Sequence, residues 1–332
     1  MKQTSWSELT EEVRSGKPIA KDRALSIVKS SDADLLTILD VSYRVRRHFH
    51  GNKVRVHVLR NAKSGACPED CTYCSQAVQF HSPIERYAMQ SAQELVEGGR
   101  RAFEMGAVTY CMVTSTRGPS ESEIETVCDA VRTIKKETPL SICCSLGILA
   151  EGQAERLAEA GVDRYNHNLE TSREFFPKVC TTHSYEDRVR TIRAAKTAGM
   201  EACSGGIVGM GEAPEDRVEL AFALRELDVE SVPVNFLDPR PNTPLNNLPR
   251  MRPNDCLRTL AMFRLVHPDR DVRAAGGREA CLGCLQPLAL YAANSIFTNG
   301  YLTTPGQEPS SDWKMMTEAG FEPVVVGAKG FA

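Results

Sequence analysis

VRVHVLRNAKSGACPEDCTYCSQ, residues Val54 to Gln76, joins a short β-branched run to a loop holding three cysteines. The run has the composition of a strand. Cys67, Cys71 and Cys74 are spaced C-x3-C-x2-C, with Tyr73 directly before the last. Three thiolates this close can grip one metal centre, and no Cys or His lies within five residues on either side to complete the set. A closed structural zinc site takes four protein ligands, and an ordinary iron–sulfur cluster takes four thiolates. The loop therefore suits a 4Fe–4S cluster with one iron left open to an incoming ligand. A zinc loop completed from elsewhere, or ordinary reduced cysteines, are the alternatives.

Outward from the loop, 332 residues suffice for two domains or one large barrel, since an α/β barrel takes about 250. A hydrophobic content of 42% allows a sizeable core. Twelve cysteines, in a chain opening MKQTSWSELTEEVRSG without an apolar signal segment, do not read as a secreted disulfide framework. They point to metal or redox work in a reducing compartment, and a cytoplasmic protein is expected. No apolar run reaches the ~18 residues of a membrane span. A net charge of −3 leaves no electrostatic footprint for nucleic acid. Neither membrane nor nucleic acid is an expected partner.

Residues 1–50 read as an N-terminal helical extension, with Asp32 to His50 an amphipathic run whose basic end, Arg44 to Gly51, reads as solvated. From 51 to 320, short β-branched runs alternate with longer helical stretches. Strands are expected from Val54, then over Val108–Ser115, Leu140–Gly147, Asp163–Glu170, Glu201–Gly209, Ser231–Leu237, Asp271–Gly277 and Ala293–Asn299. Eight strands alternating with helices predict a parallel sheet closed into a (βα)8 TIM-type barrel, with an open doubly wound sheet as the alternative. Residues 321–332 form a C-terminal tail. Cys111, Cys143 or Cys144, Asn166, Asn168, Cys203, Asn235 and Arg273 sit inside these apolar strands. Core strands carry such groups where something inside satisfies them. Asn166 and Asn168 share a strand face; Cys143 and Cys144 cannot both point inward.

The cysteine spacing resembles that of radical S-adenosylmethionine enzymes. Taken with CMVTSTRGPSE, YNHNLETS, CSGGIVGMGE, SVPVNFL, VRAAGGRE and ANSIFTNGYLTTPGQ, it resembles the biotin synthase family over about residues 40–322. That resemblance implies a sulfurtransferase that inserts sulfur into dethiobiotin to form biotin. It implies a 4Fe–4S cluster on Cys67, Cys71 and Cys74 that cleaves S-adenosylmethionine, and an auxiliary 2Fe–2S cluster on Cys111, Cys143, Cys203 and Arg273 that donates sulfur. Cys143 is matched over Cys144 because it lies four residues before Gly147, as in the family. By the same matching Asn166 and Asn235 meet dethiobiotin, while Tyr73, Asn168, Glu170, Arg188 and Ile207 contact S-adenosylmethionine. Glu170 stands where many members carry Asp. An electron donor such as flavodoxin or ferredoxin and a homodimer are also implied.

One pair departs from the family pattern. Cys281 and Cys284, in GGREACLGCLQP, form a C-x2-C pair just after the Arg273 strand. They are read either as an extra metal site that alters the auxiliary cluster, or as small buried residues. Cys128, Cys144, Cys180 and Cys256 are expected to pack. Two other functions compete: a related barrel enzyme, such as a hydrogenase maturase or methylornithine-forming mutase, and a non-catalytic iron–sulfur carrier. Neither requires Cys111, Cys143, Cys203 and Arg273 together.

Overall fold

The computed structural model describes residues 6–326. Eight parallel strands form a ring: β1 (Lys53–Lys63), β2 (Thr109–Thr114), β3 (Ser141–Ser145), β4 (Arg164–Asn166), β5 (Glu201–Cys203), then β7 (Ser231–Phe236), β8 (Asp271–Ala274) and β9 (Ser295–Thr298). Pairing of β9 with β1, from Arg55↔Ser295 to Val58↔Thr298, closes the ring. The barrel expectation holds and the open sheet does not.

Helices α4 (Ala92–Glu104), α5 (Glu121–Glu137), α6 (Gln153–Ala160), α7 (Tyr185–Thr197), α8 (Pro214–Glu226) and α9 (Pro253–Val266) lie between successive strands. Reciprocal caps start three of them: Ser91 with Glu94, Ser120 with Glu123, and Ser184 with Asp187. Short helices α10 (Arg278–Leu282) and α11 (Gln286–Ala289) link β8 to β9, and α12 (Pro309–Glu318) follows the ring. In the N-terminal extension, α1 (Trp6–Arg14) packs on α3 (Leu35–His50), while α2 (Lys21–Val28) and α3 pack on α9. That cover explains why every residue of α9 from Cys256 to Val266 is buried; an outer barrel helix otherwise keeps a wet stripe.

Two expected strands are cut to three-residue pieces. The Glu201–Gly209 stretch is broken into β5 and β6 (Gly206–Val208); β6 pairs with β7, and its Gly206 also bridges Glu170. The break sits where main chains press together: a Cβ on Gly205 would lie 1.8 Å from the Pro233 carbonyl oxygen, and one on Gly206 2.3 Å from that of Glu170. The Asp163–Glu170 strand stops at Asn166, so Asn168 and Glu170 lie on the loop beyond it, Glu170 in the left-handed region at φ 71. A tenth strand, β10 (Glu322–Val324), pairs with the start of β1 outside the ring. Residues 327–332 of the expected tail lie outside the described residues.

The basic end of α3 is not all solvated. Arg46 is fully buried, donating to the carbonyls of Lys53 (2.7 Å), Ala293 (3.3 Å) and Gly51, and burial lowers its pKa to about 10. Among the described residues no helix is long and apolar enough to cross a membrane.

Candidate active site

At the C-terminal mouth of the ring, where TIM-type barrels carry their sites, a cavity of about 290 Å³ opens. Cys67, Cys71 and Cys74 line it, together with Cys111, Asn166, Asn168, Glu170, Arg188, Ile207, Asn235 and Arg273. The cysteine loop folds on itself to present its thiols. Gly65 and Ala66 turn the chain at φ 73 and 65. Cys67 N–H then donates to the Gln76 carbonyl at 3.1 Å, Val78 N–H to that of Cys67 at 2.9 Å, and Cys74 N–H to that of Cys71 at 2.9 Å. Burial pushes the Cys74 thiol up to about 11. A hydrogen bond with Cys180, then burial, holds Cys71 above its ordinary value. A metal bound by these thiols would displace their protons.

A second set lies deeper. Strand register puts Cys111 beside Cys143, and Asn166 beside Cys203. The thiols of Cys111, Cys143 and Cys203 form a hydrogen-bonded chain. Cys111 and Arg273 line the cavity; Cys143 and Cys203 are buried behind them. Cys144 turns the other way and packs with Cys128 between sheet and helices. Arg273 Nη1 lies 3.9 Å from Cys203 Sγ. Its Nη2 donates to Asp271 Oδ2 and Ser231 Oγ, both at 3.0 Å, and lies 3.2 Å from His57 Nε2.

Asp271 is the hub that sequence reading passed over. Its Oδ2 also accepts from Arg164 Nη1 at 3.3 Å, and its Oδ1 from Ser295 Oγ at 2.5 Å and Asn294 Nδ2 at 3.2 Å. The signal was available: Asp271 stands two residues before Arg273, on the same strand face.

Above these, Arg188 Nη1 donates to the Asn168 carbonyl at 2.9 Å and to Glu170 Oε1 at 3.3 Å. Burial opposes its charge, but Glu170 and the neighbouring Tyr73 and Cys71 raise its pKa above the usual arginine value. Glu170 Oε2 and Arg188 Nε are buried without a partner. Asn166 Nδ2 faces Cys203 Sγ at 3.2 Å, and Asn168 Oδ1 accepts from Gly205 N–H at 3.1 Å. Asn235 is held at both ends, by the Gly206 carbonyl (3.0 Å) and Gly276 N–H (2.9 Å). Tyr73 also lines the cavity.

Cys281 and Cys284 are placed apart from these sets. Cys281 is buried, hydrogen-bonded to the free Cys256 thiol and 3.4 Å from the Leu237 carbonyl; Cys284 is exposed; neither lines the cavity. Cys180 packs into the core as expected, and it also lies against Cys71 beside His183. Neither partner could be found by inspecting the loop, because both are more than a hundred residues away in sequence.

The Radical SAM superfamily matches residues 62–224, and the Biotin and Thiamin Synthesis associated domain matches residues 233–322. Barrel and cysteine loop thus define a radical S-adenosylmethionine protein. Solved structures with the same fold include a methylornithine synthase (TM-score 0.84, 20% identity, 95% of this chain and 97% of that one). Another is the FeFe-hydrogenase maturase from Carboxydothermus hydrogenoformans (0.79, 15%, 96% and 79%). At such identities the likeness is one of fold. The biotin synthase of Salinibacter ruber is 58% identical over 97% of this chain and 90% of its own length, and that of Lysinibacillus sphaericus 48% over 96% of each. The chain belongs to the biotin synthase family.

Proposed function

We propose that this chain is a sulfurtransferase that converts dethiobiotin to biotin by radical S-adenosylmethionine chemistry. One observation carries the reading: Cys67, Cys71 and Cys74 share a single cavity with Cys111 and Arg273, and Asn166 and Asn235 lie on its walls. The donors fit the groups the family implies. Three thiols on one loop suit a 4Fe–4S cluster with an open iron, and the partnerless Glu170 Oε2 and Arg188 Nε suit a co-substrate that brings polar groups of its own. When bound, that cluster supplies the electron that splits S-adenosylmethionine into methionine and a 5′-deoxyadenosyl radical, able to take hydrogen from unactivated carbon.

The residues bind and orient. Arg188 pairs with the methionyl carboxylate, Asn168 and Glu170 meet the ribose, and Tyr73 and Ile207 flank the adenine. Asn166 and Asn235 offer amide donors and acceptors to the cyclic urea of dethiobiotin. Cys111, Cys143, Cys203 and Arg273 hold the auxiliary cluster, of 2Fe–2S type, which is the sulfur source. Cys281, hydrogen-bonded to Cys256, and exposed Cys284 stay outside that set. Reduced flavodoxin or ferredoxin as electron donor, and a homodimer, belong to the same reading.

The test is anaerobic incubation of the reconstituted chain with dethiobiotin, S-adenosylmethionine and a strong reductant. Biotin should form with two equivalents of 5′-deoxyadenosine, one for each C–S bond. 5′-Deoxyadenosine without biotin would move the chain to another radical enzyme class, and neither product would end the enzymatic reading.

A further inference from the structure

The loop between β4 and α7 brings a fourth thiol to the cysteine loop. Cys180 Sγ lies 3.1 Å from Asp70 Oδ1 and 3.3 Å from His183 Nδ1, and shares a hydrogen bond with Cys71. Donor atoms of Cys71, Cys180 and His183 all lie within 4.8 Å of one another. In a tetrahedral zinc site, with Zn–S of about 2.3 Å and Zn–N of about 2.0 Å, donors stand roughly 3.5–3.8 Å apart. Gathering these three onto one ion therefore asks for side-chain shifts of about an ångström.

We propose that the chain, when it lacks its cluster, binds one borderline-soft divalent cation, zinc or ferrous iron, through Cys71, Cys180 and His183. Two thiolates balance the double charge, and their protons leave to solvent. The histidine's tautomer is set, and its ring must turn to aim Nε2, since Cys180 Sγ lies nearer Nδ1 (3.3 Å) than Nε2 (3.8 Å). Glu69 holds Nδ1, which leaves Nε2, 3.8 Å from Cys180 Sγ, for the ion. Glu69 is itself fixed by Arg117 at 3.0 Å and by Thr182. A carboxylate behind a metal-binding imidazole is the usual way to set its tautomer and raise its basicity. Cys71 and His183 line the main cavity, so the ion has an entry path, and a water can take the fourth position. Because Cys71 also serves the cluster, the two occupations exclude each other. That exclusion, unlike the cation site itself, rests on the cluster assignment proposed above.

Cobalt(II) titration of the full-length, cluster-free chain without oxygen tests the site. One equivalent should give the visible bands of tetrahedral thiolate-bound cobalt, and zinc should bleach them. Losing the carboxylate behind a ligating imidazole typically costs about 10–100-fold in affinity. Glu69→Gln should therefore weaken binding about tenfold, and Cys180→Ser and His183→Gln each about a hundredfold or more. Cys67→Ser and Cys74→Ser should bind as the parent does. The site is refuted if Cys180→Ser and His183→Gln both retain parental affinity, or if Cys67→Ser and Cys74→Ser lose it together with Cys71→Ser, which would put the ion on the three-cysteine loop. One equivalent of zinc added before iron and sulfide should slow cluster formation in the parent and not in Cys180→Ser; equal rates with and without zinc in the parent would overturn the exclusion. Cobalt binding as expected in a chain that makes no biotin would fault the proposed function and leave the cation site standing.

Discussion

Replacing Asp271 by Asn removes one charge at almost no change in volume, at the most connected point of the barrel interior. Its carboxylate accepts from Arg273, Arg164, Ser231, Ser295 and Asn294. Leaving a buried partner uncompensated costs about 3–5 kcal/mol. Arg164 keeps a second acceptor, Glu201 Oε2, 2.9 Å from its Nε, so the lower figure applies. At about 2.1 cal/mol/K per residue, unfolding 332 residues carries roughly 0.7 kcal/mol/K. A loss of about 3 kcal/mol then lowers Tm by roughly 4 °C. Calorimetry of the cluster-free chain at pH 7 reads this against Glu137→Gln, which breaks an exposed pair with Arg100 and should move Tm by under about 1 °C. Burial alone would raise the Asp271 pKa, but Arg273, His57 and Arg164 hold it well below the usual range. The unfolded chain therefore takes up this proton first, so the stabilisation is present above about pH 3.9 and is lost below it, where parent and variant should converge. A Tm shift no larger than that of Glu137→Gln would refute the view that Asp271 secures the two guanidiniums.

Cys71→Ala should abolish release of 5′-deoxyadenosine, whereas Cys203→Ala should keep some release and make no biotin; product chromatography of both variants separates the two sulfur sets. Arg273→Ala should lower turnover less than Cys203→Ala does, with part of the auxiliary cluster's absorption retained. Gly206→Ala pushes a Cβ to 2.3 Å from the Glu170 carbonyl oxygen and 2.7 Å from Leu220 Cδ2. Such overpacking costs about 1–3 kcal/mol and displaces Glu170, so KM for S-adenosylmethionine should rise about tenfold; an unchanged KM contradicts the assigned contact. Folding also raises the thiols of Cys71, Cys74, Cys143 and Cys203. The unfolded chain releases those protons from about pH 8.5, so the urea midpoint of the cluster-free chain should fall from there towards pH 11.

Local pattern carried most of the fold. The β-branched runs and the capping pairs at Ser91, Ser120 and Ser184 locate strands and helix starts because both effects act within a few residues. The broken fifth strand was not legible, since it depends on Gly205 meeting the main chain of Pro233 almost thirty residues on. Arg46 reads as a surface cation from its neighbours, yet it is buried because carbonyls from two other segments converge on it. The site divides the same way. Cys67, Cys71 and Cys74 announce themselves by spacing, and the polar residues of β2, β5 and β8 stand out inside apolar strands, whereas on β3 alternation left Cys143 and Cys144 open and only the family matching chose between them. Cys180 and His183 could not, because only the folded β4–α7 loop carries them to Cys71.

Charge at the barrel floor adds an argument that spacing cannot. Arg164 and Arg273 face Cys143 and Cys203, and of the acids within reach only Asp271 is buried, Glu201 being half exposed at the rim. With neutral thiols this leaves a surplus of buried positive charge. Apolar side chains of the same volume would make a more stable interior. Deprotonating Cys111, Cys143 and Cys203 reverses the balance, and the two guanidiniums then offset charge that only a bound metal centre would call for. On the proposed auxiliary-cluster assignment, Arg164 and Arg273 would offset the thiolate charge that a bound metal centre brings to the floor.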